Sequence, residues 1–546
     1  MKFAPGYIFV LLILVGCSTL KPPKQPKAAK FPKFTEKDTL LGTLNENRKC
    51  FDVTYYDLDL KIDPANKTVD GSVKIHFHAD LPVRKMQIDL AENMVIDSIL
   101  DNNGQKLEFT RKHRAVTIKM KNYIMIGGDS HIKVMYHGKP QKAKRPPWKG
   151  GLVWKKKKGK WLCGVACEDD GASIWWPCKD HIKDKPDSVQ ARYTIPEGYM
   201  CVANGRLLAH EKLFNGFERF TWRTSYPIQT YNVSFYIGDF EHFQIPYSNE
   251  NSKLKELDFY VLKENVSKAK SHFTQAVKIL KVYEELFGSY PWWKDGYKLV
   301  ESPYEGMEHQ TAIAYGAGYK NEKYIDYDYI ILHETAHEWW GNHVTACDMS
   351  DLWIHEGFAT YAEMLYEEKV YGTETYDLSY NINRNMSRNR RPLVGPRGVC
   401  YTNFNDSDIY YKGAVVLHML RRIVGDKVFF LVLKKFSNEY ADHCVYTEHF
   451  IKLLNDETGN DYGWFFDQFV FRAEAPELNY WVKDNQLKYQ WNQEVTNENF
   501  ELPIYLIHGK ESELIFPNKE VQTLQITSDE VDFGREDYVI FTKKKF

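Results

Sequence analysis

A net charge of either sign is missing from this 546-residue chain: 72 Lys and Arg face 73 Asp and Glu, a formal balance of −1. With no basic field and no nucleic-acid module, the sequence gives no support to nucleic-acid binding. A long hydrophobic run is also lacking. The apolar stretch Tyr7–Val15 near the N-terminus is too short for a comfortable membrane span. Internal repeats are not evident. Cysteines number nine, but Cys163, Cys167 and Cys178 lack the two-pair spacing of a zinc ribbon, so they suggest no metal site. Aromatic residues, at 15%, are plentiful and suit large β-domains and clefts.

The N-terminus ends its apolar stretch in Leu14-Val15-Gly16-Cys17, which resembles a bacterial lipoprotein signal with its lipobox. That resemblance implies cleavage before Cys17 and lipidation of the new terminus. The expected location is the bacterial cell envelope, on the periplasmic side of the outer membrane, with the lipid as the only membrane contact. An ordinary anchor or secretory signal is the alternative, and it too exports the chain. Residues 18–45 read as a tether: Lys21, Lys24, Lys27, Lys30, Lys33 and Lys37 alternate with prolines, which keeps such a segment extended and solvated. With Cys17 lipidated, eight cysteines remain in a compartment that permits disulfides, their pairing open.

Residues 46–250 read as β. Leu58, Leu60 and Ile62 alternate with polar residues, as do Val73, Ile75 and Phe77, and Val116, Ile118 and Met120. An antiparallel sandwich or saddle is predicted. Residues 251–474 turn helical: Ala269, Phe273, Ala276, Ile279, Leu280 and Tyr283 keep helical spacing within a helix predicted over Ser267–Phe287, and Gly288 follows its end. Alternation returns over 475–546, through Leu487, Tyr489 and Trp491, and predicts a small C-terminal β-sandwich. The fold class is multidomain α+β.

The chemistry concentrates in I-L-H-E-T-A-H-E-W-W-G-N. Residues four apart on a helix lie about 40° apart around the axis, so His333 and His337 share a face and can meet one Zn²⁺. Glu334, one residue round, can sit beside the metal as general base for a water. Glu356, 19 residues after His337, opens a second helix and supplies a third ligand, leaving the fourth position open as catalysis needs. Four further places look like parts of a site: Glu305-Gly306-Met307-Glu308-His309, Tyr410-Tyr411-Lys412-Gly413, Cys167-Glu168-Asp169-Asp170 ahead of Pro177-Cys178-Lys179-Asp180, and Glu363, two helical turns beyond Glu356.

Taken with the histidine motif, these segments resemble the aminopeptidase N family of zinc metallopeptidases, of the gluzincin type, from about residue 45 to the end. The resemblance implies a thermolysin-like catalytic domain and one Zn²⁺ per chain on His333, His337 and Glu356. It implies peptide substrates with a free N-terminus. Glu308, with Glu168, resembles the carboxylates that grip the substrate's α-amino group. Gly306 and Met307 match the segment that meets the substrate backbone, Tyr410 the tyrosine that donates to the oxyanion, and Glu363 the acid that orients a zinc histidine. The family's Asn after Met-Glu is His309 here, which bears on substrate-backbone contact; its initial Gly is Glu305, and the Asn before the third ligand is His355. Many members also end in a large helical domain, so a more open cleft is expected.

The leading reading is therefore an aminopeptidase. A thermolysin-type endopeptidase is the second, opposed by Glu308 and Glu168, which penalise an extended N-terminal segment. A non-catalytic peptide-binding envelope protein is the third, opposed by an intact Glu334 and Tyr410. The preferred first residue and the oligomeric state do not follow from these motifs.

Overall fold

The structure is a computed structural model that describes residues 28–249, 254–323, 325–401, 407–534 and 538–545. The predicted signal, Cys17 and the first part of the tether, residues 18–27, lie outside the described residues, and within the described part of the tether Glu36–Gly42 is helical rather than extended. No described helix is long and apolar enough to cross a membrane. The chain forms two compact units, one running to Glu474 and the other built on Ala475–Arg535 and the strand that follows.

In the first unit two short helices, α1 (Glu36–Gly42) and α2 (Glu46–Lys49), lead into the β-region. Its largest sheet has seven strands, in the order Arg206–Lys212, Phe217–Arg223, Ser188–Pro196, Phe51–Asp63, Thr68–Ala79, Asp129–Gly138 and Met94–Leu100. The alternation has the expected result: Leu58, Leu60, Ile62, Val73 and Ile75 are fully buried in one apolar core. One pair departs from the antiparallel expectation. Phe51–Asp63 runs parallel to Ser188–Pro196, with Leu58 opposite Ala191. That pairing joins strands more than a hundred residues apart, and local alternation carries no information about it.

A five-stranded sheet follows, in the order Phe240–Tyr247, Lys255–Leu262, Tyr297–Glu301, Ile313–Tyr315 and Gly306–Met307. It crosses residue 250, where the sequence places a domain boundary. Gly306–Met307 is its last strand, paired on one side only. The helix predicted over Ser267–Phe287 is two helices, α3 (Val266–His272) and α4 (Gln275–Phe287), with Phe273 and Thr274 between them. Gly288, at φ +102°, ends α4 in a conformation that costs other residues more.

Then come α5 (Tyr329–Ala336), α6 (Trp353–Tyr371), α7 (Thr373–Met386) and α8 (Tyr411–Val424). A disulfide joins Cys347 to Cys444 across 97 residues, where Thr345–Ala346 pairs with Cys444–Val445. The second unit consists of a four-stranded and a three-stranded sheet, the first centred on Gln486–Trp491 and Glu477–Lys483, the second on Ile504–His508.

Candidate active site

Asp328 starts α5 by accepting from the Ile330 and Ile331 amides, as an N-cap should. His333 lies within this helix and His337 forms its C-cap. Their Nε2 atoms are 3.1 Å apart, and each is 3.4 Å from Glu356 Oε2 at the start of α6. Metal–ligand bonds of 2.0–2.2 Å in a tetrahedron give edges of roughly 3.3–3.6 Å, so the triangle suits Zn²⁺.

The hydrogen bonding makes the same case. His333 Nδ1 meets Glu363 Oε1 at 2.6 Å, and His337 Nδ1 meets the Trp340 carbonyl at 2.8 Å. With both Nδ1–H groups donating, both Nε2 atoms present bare lone pairs to each other. Glu356 Oε2 is buried beside them without a hydrogen-bond partner. Three buried electron-pair donors with no proton between them require a cation.

Glu334 is 6% exposed, and burial pushes it up to about 8 against the pull of the two histidines. Its carboxylate adjoins the edge strand: a Cβ on Gly306 would fall 2.4 Å from Glu334 Oε1. Tyr410, the N-cap of α8, donates its hydroxyl to Glu356 Oε1 at 3.1 Å, and its ring stacks on His333. Two glycines allow this. A Cβ on Gly413 would lie 2.7 Å from the Gly357 Cα, so α6 and α8 touch backbone to backbone just beyond Glu356 and Tyr410.

Glu308 follows the edge strand and is 3% exposed. Burial raises its carboxyl, and Glu356 adds to the rise. Glu168, from the β-region, is raised far above the carboxylate range by burial and then by Glu308, and its Oε1 has no partner. Four carboxylates, those of half-buried Glu168 and of buried Glu308, Glu334 and Glu356, thus lie close enough to raise one another's proton affinity. A single divalent ion leaves that group short of positive charge.

Sequence reasoning passed over several residues that build the site. Tyr231, from the β-region, donates to Glu308 Oε1 at 3.1 Å. Asn342, fully buried, donates to the Glu308 carbonyl at 2.9 Å and accepts from Asn232 at 2.6 Å. Glu338 accepts from the Thr311 amide at 2.9 Å, bracing a residue held at φ +60°. Asn342 and Glu338 stand in the histidine run itself, as polar residues among tryptophans. Nothing near Tyr231 marked it. His309 is fully buried with Nδ1 2.5 Å from Tyr236, and His355 accepts from the Ala346 amide at 2.8 Å, so both side chains are engaged within the protein.

Comparison with known proteins yields two domain matches, a Peptidase M1 N-terminal domain over residues 53–232 and a Peptidase family M1 domain over 271–469. Aminopeptidase N of Escherichia coli is 22% identical over 303 residues, covering 51% of this chain and 34% of that protein. Aminopeptidase N of Lactobacillus helveticus is 23% identical over 481 residues, covering 81% and 53%. The chain thus spans about half or less of the length of these relatives. Among solved structures, a two-domain M1 zinc metallopeptidase bound to L-tryptophan superposes with a TM-score of 0.68 at 24% identity, covering 79% of this chain and 95% of the other. An M1 zinc metallopeptidase from Deinococcus radiodurans gives 0.65 at 24% identity, covering 77% and 93%. The two domain matches span well over half of the sequence, and the chain belongs to peptidase family M1, the aminopeptidase N family.

Proposed function

We propose that this protein is a zinc-dependent aminopeptidase that removes the first residue from peptides with a free N-terminus. The observation that carries the reading is the pair of carboxylates, half-buried Glu168 and buried Glu308, next to the His333, His337 and Glu356 triangle. Two anions beside the reacting centre reward an ammonium and leave a blocked amine uncompensated. Zn²⁺ held by His333, His337 and Glu356 supplies Lewis-acid chemistry for the peptide carbonyl and the attacking water. Gly306–Met307, the edge strand with one side unpaired, aligns the substrate backbone. Glu334 takes the water's proton and carries it to the departing amine. Tyr410, already within hydrogen-bond range of Glu356, turns its hydroxyl proton to the oxyanion. Glu363 holds the His333 ring in one tautomer.

The decisive assay compares kcat/KM for one peptide with and without N-acetylation. Removing the partner of a buried charge costs about 3–5 kcal/mol, so the free amine should be favoured roughly 10²–10⁴-fold. Comparable rates would instead support an endopeptidase. We further propose attachment to the cell envelope through lipidated Cys17, which the Leu14–Cys17 pattern supports. Cys17→Ala should release active protein from membranes, and unchanged membrane association would refute the lipid anchor.

A further inference from the structure

Residues 28–49 precede both domain matches, which cover 53–232 and 271–469, yet they fold against both regions. Towards the catalytic region, the Ala29 amide donates to the Arg390 carbonyl at 2.7 Å and the Phe34 ring meets Tyr401 edge-on at 5.5 Å. The Cys400 amide donates to the Asp38 carbonyl at 3.0 Å, and the Thr43 hydroxyl to the Gly398 carbonyl at 2.8 Å. Towards the β-region, Gln87 donates to the Leu40 carbonyl at 3.1 Å, and His181 Nε2–H faces the Gly42 carbonyl at 3.2 Å. Arg48, fully buried, bonds the Leu41 carbonyl at 2.5 Å and pairs with Asp89. Residues 28–49 therefore form a strap across the two regions. At its middle a Cβ on Gly42 would fall 2.2 Å from the Val399 carbonyl carbon, so the strap and residues 399–400 touch backbone to backbone.

That contact closes one side of a cavity of about 50 Å³. Leu41 and Gly42 of the strap line it, opposite Glu168 and Tyr231. Tyr231 joins the cavity to the amine-binding pair, since its hydroxyl is bonded to Glu308 while its side chain lines the cavity. The apolar part of the wall is Leu41, Ile182, Leu352 and Val399. Acidic groups of the lining are held by the protein itself: Asp170 takes the Gly150 amide and faces Arg114, Asp180 takes the Ala172 and Ser173 amides, and Asp348 those of Ser350 and Gly398. Shape rather than charge is then what the cavity has to discriminate with. At roughly 10–15 Å³ per water the volume holds about four waters, comparable to the four carbons of a leucine side chain.

We propose that the strap, through Leu41, is a specificity element: it closes the cavity that receives the first residue's side chain and limits that side chain to about the size of leucine. The inference rests on the aminopeptidase reading for its geometry. If Glu168 and Glu308 hold the α-ammonium, the side chain leaves the very carbon that bears it, next to the cavity. An aliphatic side chain of four carbons then packs on Leu41, Ile182, Leu352 and Val399. An indole, with more than twice as many heavy atoms, meets Leu41, and the strap behind Leu41 is held by Arg48 and by the Gly42 contact, so it does not give way.

Two measurements on the full chain test this. Aminoacyl-coumarin substrates should show kcat/KM at least about tenfold higher for Leu than for Trp. Leu41→Ala should raise the Trp-to-Leu ratio at least about fivefold, and Leu41→Phe should lower the Leu-to-Ala ratio at least about fivefold, with thermal melts confirming that both variants fold. Should Leu41→Ala not fold, Leu41→Val carries the same test with a rise of at least about twofold. A native preference for Trp, or a folded Leu41→Ala protein that melts lower yet keeps the native ratio, would make the strap a brace only and overturn the proposal. The second measurement needs no turnover. By calorimetry, L-leucine should bind Glu334→Gln protein at least about tenfold more tightly than L-tryptophan, and adding Leu41→Ala should narrow that gap at least about fivefold. An unchanged gap, or no binding of either amino acid, would overturn the proposal. If the aminopeptidase reading itself is wrong, no aminoacyl substrate is cleaved, and the calorimetric comparison still decides whether Leu41 limits the cavity.

Discussion

Gly413→Ala tests whether helix contact positions the Tyr410 hydroxyl. The new Cβ would sit 2.7 Å from the Gly357 Cα, and a backbone atom cannot swing aside as a side chain can. Carbon atoms at rest are about 3.5–4.0 Å apart, so α6 and α8 must separate by roughly 0.8 Å or more. Tyr410 starts α8 three residues earlier, and Glu356 immediately precedes Gly357, so the separation acts directly on their 3.1 Å hydrogen bond. Misplacing a catalytic group by about 1 Å costs around 10²-fold, which puts the expected loss in kcat at roughly 10–10²-fold with a smaller change in KM. Overpacking should also cost about 1–3 kcal/mol, or a Tm lower by some 2–10 °C. Zinc content by mass spectrometry should stay near one per chain, since His333 and His337 are untouched. Gly395→Ala is the control, its nearest neighbours at an ordinary 3.7 Å. A Gly413→Ala protein with kcat within about twofold of wild type and an unchanged Tm would refute the reasoning.

Other expectations follow from the same geometry. His337→Ala should lose stoichiometric zinc, whereas Glu334→Gln should keep it and lose at least about 10²-fold in kcat; zinc retained at one per chain in His337→Ala would count against the ligand set. Cys444→Ser opens a loop of 97 residues and should lower stability by up to about 4–5 kcal/mol, read from denaturant melts; an unchanged midpoint would mean the bridge constrains little. Glu367 is 3% exposed, and burial pushes it up to about 7, although the Tyr327 hydroxyl bonds its Oε1 at 2.5 Å. Because the folded value lies above the unfolded one, Glu367 weakens the fold as pH rises from about 4.5 to about 7, by roughly 3 kcal/mol in full. Glu367→Gln should therefore melt higher than wild type at pH 8, the advantage shrinking towards pH 5, and a pH-independent difference would contradict this.

Much of the site was legible in the sequence because its chemistry is local. His333, Glu334 and His337 lie on one helical turn, and Glu363 lies two turns beyond Glu356, so helix geometry alone relates the members within each element. Strand alternation likewise marked Leu58, Leu60 and Ile62 as buried, since the side-chain period of a strand is set by its own backbone. The histidine-run residues Asn342 and Glu338 were visible too, but their partners, the Glu308 carbonyl and the Thr311 amide, were not. Resemblance to a known family, rather than periodicity, linked Glu168 and Tyr410 to the histidines.

Contacts distant along the chain were decided by tertiary structure alone. The hydrogen bond from Tyr231 to Glu308, the Cys347–Cys444 bridge, the parallel pairing of Phe51–Asp63 with Ser188–Pro196, and the cavity between Gln229 and Leu352 each join segments that no local pattern relates. Backbone geometry repeats every 2 or 3.6 residues and therefore writes helices, strands and same-face pairs into the sequence. Which buried acceptor meets which donor across 77 residues, as with Tyr231 and Glu308, depends on how whole elements pack, and packing is a property of the assembled core.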